Sequence, residues 1–226
     1  MNTRSSTPAV LLAIIGVIAL VAACGPGGAA APTPGSTSTP APTASPAASG
    51  PHKLTAGSLP PGDYTTTEFQ PTLHFTLGEG WGNNFPDDSD EIALNRGADI
   101  SLVAFSRVSR VVDPTTHQAL PVPEDLLGWL AAHPSFEWTG ASVPVEIAGL
   151  SGGTLKGQLE NGLKQTDMFA WDTGNMRVVP GNQVQFYVLP LDGPDLTIVV
   201  MAEDAAFASV SEATRTMLDS LEVVTP

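Results

Sequence analysis

The chain changes material at His52. Residues 25–52 contain seven prolines, many Ala, Ser, Thr and Gly, no Asp, Glu, Lys or Arg, and no large apolar side chain. Such a stretch cannot bury enough surface to offset the entropy of ordering it, so it predicts a disordered spacer. Its prolines favour extended polyproline II at about 3.1 Å per residue, a reach of roughly 85 Å when stretched and about 30 Å as a coil. Folding is therefore confined to 53–226, a length that suits one domain around one core.

The residues before the spacer carry an address. One positive charge, Arg4, precedes residues 9–23, an unbroken apolar run that ends in small residues before Cys24, the only cysteine. A helix needs roughly 20 apolar residues to cross a ~30 Å hydrocarbon core, so this run is short for a permanent span. It resembles a bacterial lipoprotein signal peptide, residues 1–23, with Cys24 as the acylated first residue of the mature chain. The expected layout is a signal peptide at 1–23, a lipid-anchored disordered linker at 24–52, and one extracytoplasmic domain at 53–226. Several acyl chains on one residue would hold it firmly to the cell membrane, at about 0.8 kcal/mol per buried methylene.

The domain is strongly acidic. Eight Lys and Arg stand against 23 Asp and Glu in 53–226, a net charge of −15. It lacks the basic footprint that phosphate backbones require, so no nucleic-acid partner is expected. Anionic lipid would repel it, which leaves the acyl anchor as the membrane contact. With Cys24 consumed by lipid there is no thiol for a disulfide, and packing alone must stabilise the fold.

Hydrophobic periodicity yields mostly strands. Leu73, Phe75 and Leu77 alternate with Thr72, His74 and Thr76, a half-buried strand. Ile100, Leu102, Ala104 and Val108 share one face of a longer strand, with Asp99, Ser101 and Arg107 opposite. Val143, Val145 and Ile147, then Leu155, Gly157 and Leu159, form two strands about a turn at 149–153. Val184, Phe186 and Val188 alternate with Gln183, Gln185 and Tyr187, and the apolar run 196–201 belongs at a sheet centre. Pro123 and Pro134 bracket a helix over 124–133. A second helix over 205–221, with Asp204 as N-cap, buries Phe207, Val210, Thr214, Met217, Leu218 and Leu221. Glu222-Val223-Val224 closes as a short edge strand. The expected fold class is α+β, an antiparallel sheet packed by two main helices, the C-terminal one prominent.

Tyr64-Thr65-Thr66-Thr67-Glu68-Phe69-Gln70-Pro71 and the strand ending Gly80-Trp81 resemble the opening of a group of uncharacterised bacterial surface lipoproteins. Glu124-Asp125 through Trp129-Leu130 to His133-Pro134, and the closing Leu218-Asp219-Ser220-Leu221, fit the same group, which implies no particular activity. A Gly-Trp after the first strands and a C-terminal helix is also similar in layout to the PsbP-like fold.

Four features invite chemistry. Gly149-Leu150-Ser151-Gly152-Gly153 matches the nucleophile elbow G-x-S-x-G, yet a strand follows where a helix is required, and all four histidines precede Ser151. A glycine-rich hairpin is the simpler reading, and a secreted hydrolase using Ser151 is the rival. Asp87, Asp88, Asp90 and Glu91 are the densest carboxylates; they offer oxygens to a cation such as calcium without the EF-hand spacing, so a solvated loop is the default. His52 falls in the linker, His74 on a strand's polar face, His117 in a loop, and His133 at a helix end where a protonated ring is favourable. Arg107 and Arg110 form a close basic pair. Trp81, flanked by glycines in Gly78-Glu79-Gly80-Trp81-Gly82, is the candidate ligand-binding aromatic, since an unshielded loop indole makes a good contact.

These readings favour a non-enzymatic, lipid-anchored module that binds a protein or small ligand at the cell surface. No catalytic residue, metal or cofactor is expected. An envelope-assembly role is a third possibility.

Overall fold

The computed structural model describes residues 50–83, 87–97, 101–171 and 174–224. The expected signal peptide, Cys24, most of the expected linker, and Asp99 and Ile100 of the expected long strand lie outside the described residues. Those described fall within one compact unit, 47–226.

Among the described residues, three sheets build this unit. The first is β1 (His52–Lys53), β3 (Gly62–Thr65), β4 (Thr72–Leu77) and β17 (Glu222–Val224), in that order. The central sheet runs β10 (Phe136–Trp138), β12 (Leu150–Leu159), β15 (Asn182–Leu189), β16 (Leu196–Glu203), β7 (Leu102–Arg107), β6 (Glu91–Arg96), β5 (Trp81–Asn83) and β2 (Gly57–Leu59), with β11 (Val143–Ile147) also on β12. The third is β14 (Gly174–Val178), β13 (Thr166–Trp171), β8 (Arg110–Val112) and β9 (Ala119–Pro121). Pairing is antiparallel except between β1 and β3. Two helices, α1 (Leu126–Ala131) and α2 (Asp204–Leu218), complete the α+β architecture.

β16 explains the layering. Every residue in Leu196–Ala202 is buried, and its two partners β15 and β7 flank it along most of its length. A strand covered on both faces carries no alternation, which makes its apolar run a central strand despite the antiparallel pairing. Ile198, Val200 and Ala202 face one core with Val103 and Phe105, closed by the first sheet and by Phe207, Val210 and Met217 of α2. Val199 and Met201 face a second core with Ala104, Val184 and Phe186, closed by Leu126 and Leu130 of α1 and by Met168, Phe169 and Trp171 of β13. The single core expected from length is thus two cores sharing one sheet. Phe75 and Phe105 stack at 5.8 Å in the first, and burying each such ring contributes about 1.5–3 kcal/mol.

The helices depart from expectation at their ends. The Asp125 side chain accepts from the Gly128 N–H at 2.7 Å, so the cap falls after Glu124 and α1 starts at Leu126. In α2 the cap position is Glu203, without a side-chain bond, and Asp204 sits in the first turn instead. The predicted stripe is buried throughout: Phe207, Val210, Thr214, Met217, Leu218 and Leu221. β17 then pairs with β4 through Leu73 and Val223.

Candidate functional site

The second core runs out before its sheet does. Direct pairing of Glu91 with Ser106 and of Ala93 with Ala104 puts Glu91 and Ala93 on the second-core face of β6. Beside these residues a cleft of about 470 Å³ opens, bordered on its other side by Trp171 of β13 and Gly174–Arg177 of β14. Ala93, Leu102, Trp171 and Met176 supply apolar lining, while Asp88, Asp90 and Glu91 form an acidic wall. Arg177 also borders the cleft, and its Nε donates to Asp167 at 2.7 Å.

Charge in this cleft is unbalanced. Burial, reinforced by the negative charge of Asp88, pushes the Glu91 carboxyl up to about 7. The Asp167 carboxylate holds the Arg177 guanidinium above its usual range, mainly through their hydrogen bond. Trp171 is only 8% exposed, and its indole N–H is buried without a hydrogen-bond partner among the described residues.

The residues picked out from sequence do not assemble around one centre. Trp81 is 3% exposed, in β5 and within the first core, with the Arg96 guanidinium 6.0 Å from its ring. The expected unshielded indole is thereby corrected. Its glycine neighbour Gly82 serves close strand packing, since a Cβ there would meet the Asn95 Oδ1 at 2.5 Å. Asp87 is separated in role from the other acids. Its carboxylate accepts from the Thr67 amide, the Thr67 hydroxyl at 3.1 Å, the Glu68 amide at 3.0 Å and the Phe69 amide at 3.2 Å. It pins the loop after β3 and has little capacity left for a cation. Among the described residues no group of three His, Cys, Asp or Glu side chains is arranged to hold a metal ion.

Ser151 lies in β12, opposite Glu146. Ala148 and Gly149, at φ 53° and 74°, form the two-residue turn between Ile147 and Leu150. Two successive positive φ values are the signature of a type I′ hairpin turn. The predicted turn over 149–153 is therefore shorter and displaced, and the strand–turn–helix of a nucleophile elbow is replaced by strand–turn–strand. Gly152 and Gly153 have packing reasons: a Cβ would lie 2.1 Å from the Val188 carbonyl oxygen and 2.3 Å from Leu127 Cδ2, respectively.

The histidines are dispersed. His52 is in β1, its ring 5.4 Å from Tyr64. His133 is 4% exposed, held edge-on by Trp129 at 4.9 Å and Phe136 at 5.4 Å, with the Ser135 amide donating to Nδ1 at 3.3 Å. Burial lowers its pKa to about 4. It is a neutral core ring, and the expected favourable charge at the helix end is corrected. Arg107 ends β7 and donates to the Gln70 carbonyl at 2.9 Å, whereas Arg110 starts β8 in another sheet.

No protein-family profile matches the chain, and no curated protein sequence does. Partial likenesses exist among solved structures. LpqN of Mycobacterium tuberculosis, described as involved in cell envelope biogenesis, overlaps 73% of this chain and 91% of its own at 15% identity and a TM-score of 0.40. The PsbP protein CyanoP of Synechocystis sp. PCC 6803 overlaps 75% and 97% at 12% identity and 0.40. A Bacteroides thetaiotaomicron VPI-5482 protein overlaps 68% and 45% at 10% identity and 0.36. Overlap this partial leaves role to be argued from the cleft itself.

Proposed function

We propose that this chain is an extracytoplasmic binding module, tethered to the membrane by lipid on Cys24 and presenting the acidic cleft to a small ligand. The tether is supported by the apolar run 9–23 before the only cysteine and by the charge-free, proline-rich residues that follow. The observation that carries the binding role is the cleft. It is concave and mainly apolar, with a few convergent polar groups from β6 and the β13–β14 hairpin, the usual makeup of a ligand site. Catalysis gains no comparable support, because Ser151 sits within a hairpin strand.

Two measurements test the proposal. Expressed in its native host, the full chain should take up labelled fatty acid and sediment with membranes, and Cys24→Ser should do neither. A Cys24→Ser chain that matures and partitions like the parent would remove the tether. Soaking or titrating the purified chain with small-molecule fragments should shift resonances of Trp171 and Met176. A library that moves neither residue would remove the cleft as a binding seat.

A further inference from the structure

We propose that the cleft between β6 and the β13–β14 hairpin takes a cationic amphiphile, a molecule joining an ammonium or guanidinium head to an apolar body. This identification rests on the reading of the cleft as the ligand seat.

The acidic wall selects the sign of the ligand. Asp88, Asp90 and Glu91 border the cleft, and the cation that also borders it, Arg177, is paired with Asp167 at 2.7 Å. The wall is thus not neutralised by Arg177. The Glu91 carboxyl is raised by the neighbouring Asp88 charge as well as by burial, as expected where negative charge outweighs positive. An arriving cation relieves that repulsion, and a carboxylate ligand adds to it.

The lining selects the body. A strongly hydrated ion gains nothing from Ala93, Leu102, Trp171 and Met176, whereas an aromatic or aliphatic body buries apolar surface against them. The described carboxylates also lack a metal-holding arrangement, which separates this cleft from a divalent-cation site.

The test uses the full chain in phosphatidylcholine nanodiscs and three matched probes: N-(aminobutyl)benzamide, the neutral N-(hydroxybutyl)benzamide and anionic benzamidobutyrate. Titration calorimetry gives the affinities, and the indole N–H resonance of Trp171, assigned with Trp171→Phe, reports the location. The amine should bind about tenfold or more tighter than the alcohol, with the carboxylate weaker still, and should shift the Trp171 signal. Glu91→Gln should erase about tenfold of the amine's advantage while leaving the alcohol unchanged. Asp88→Asn combined with Asp90→Asn, both exposed and therefore safe for folding, should reduce it further and weaken its salt dependence. If all three probes move Trp171 with equal affinity, the cleft remains a binding seat and the cationic preference is overturned. If none moves Trp171, the preference and the seat both fall. Amine binding that ignores all the carboxylate variants overturns the assignment as well.

Discussion

Two titrations of opposite sign, at half-buried Glu91 and buried His133, make a specific forecast about acid. Glu91 is a carboxyl raised from its ordinary 4.5 to about 7 by burial and Asp88. Between these values the folded chain holds a proton that the unfolded chain has released, so stability falls as pH rises and is regained on acidification. His133 is lowered from its ordinary 6.5 to about 4 by burial among aromatic rings. Between those values the unfolded chain holds the extra proton, so stability falls as pH drops. Each slope is about 1.4 kcal/mol per pH unit, and the windows overlap between 4.5 and 6.5. The two effects cancel there in the parent protein. Glu91→Gln removes one of them and should leave a chain that loses up to about 2 kcal/mol, relative to the parent, on going from pH 6.5 to 4.5. His133→Asn keeps an acceptor for the Ser135 amide and should gain a similar amount over the same interval. Urea unfolding followed by far-ultraviolet circular dichroism at several pH values measures both, and variant-minus-parent differences remove the background from other carboxylates. A Glu91→Gln difference that stays constant across the window refutes the argument that folded Glu91 keeps its proton well above its ordinary 4.5.

Other consequences are simpler to state. Asp87→Ala should cost about 1–3 kcal/mol in chemical denaturation, because the Thr67, Glu68 and Phe69 amides lose their acceptor. Ser151→Ala should stay within about 0.5 kcal/mol of the parent, whereas Gly152→Ala should lose about 2 kcal/mol or more, since its new methyl meets the Val188 carbonyl oxygen; equal effects would contradict the packing account of this motif. Trp81→Ala should cost about 3–5 kcal/mol in thermal or urea unfolding, the penalty of emptying a core site, and a near-neutral result would restore it to the surface.

How much of this was legible depended on which faces met solvent. β4 could be read because Leu73, Phe75 and Leu77 turn inward and Thr76 outward, leaving the alternation intact. α2 could be read because its buried stripe keeps helical spacing along 15 residues. The second core was hidden by β16, where apolar residues on both faces erase any period. The third sheet was hidden for another reason. β8 and β9 have three residues each, and β13 buries Met168, Phe169, Ala170 and Trp171 in succession. The acids of the cleft stood out as a run, but Ala93, Leu102, Trp171 and Arg177 come from separate strands and show no joint pattern. Trp81 misled because flanking glycines signify an open loop as readily as a tightly packed strand, and only the neighbouring Asn95 side chain decides between them.

The cleft follows from where the large side chains stop. On the second-core face, β6 and β7 meet through the Ala93–Ala104 pair, two of the smallest side chains that a buried position can hold. Across from them Trp171 and Met176 are mostly covered, yet nothing on β6 fills the remaining space, and the next residue outward on that face is Glu91. A larger apolar residue at either position would extend the core and stabilise the domain, as cavity filling commonly does. A half-buried carboxyl instead destabilises the fold as pH rises, since its ionised form is poorly solvated and lies near Asp88. A bound cation reverses that effect: it stabilises ionised Glu91, lowers its pKa, and releases a proton near neutral pH. The same carboxyl that weakens the empty domain therefore strengthens the occupied one, so occupancy and folding stability are coupled through a single side chain.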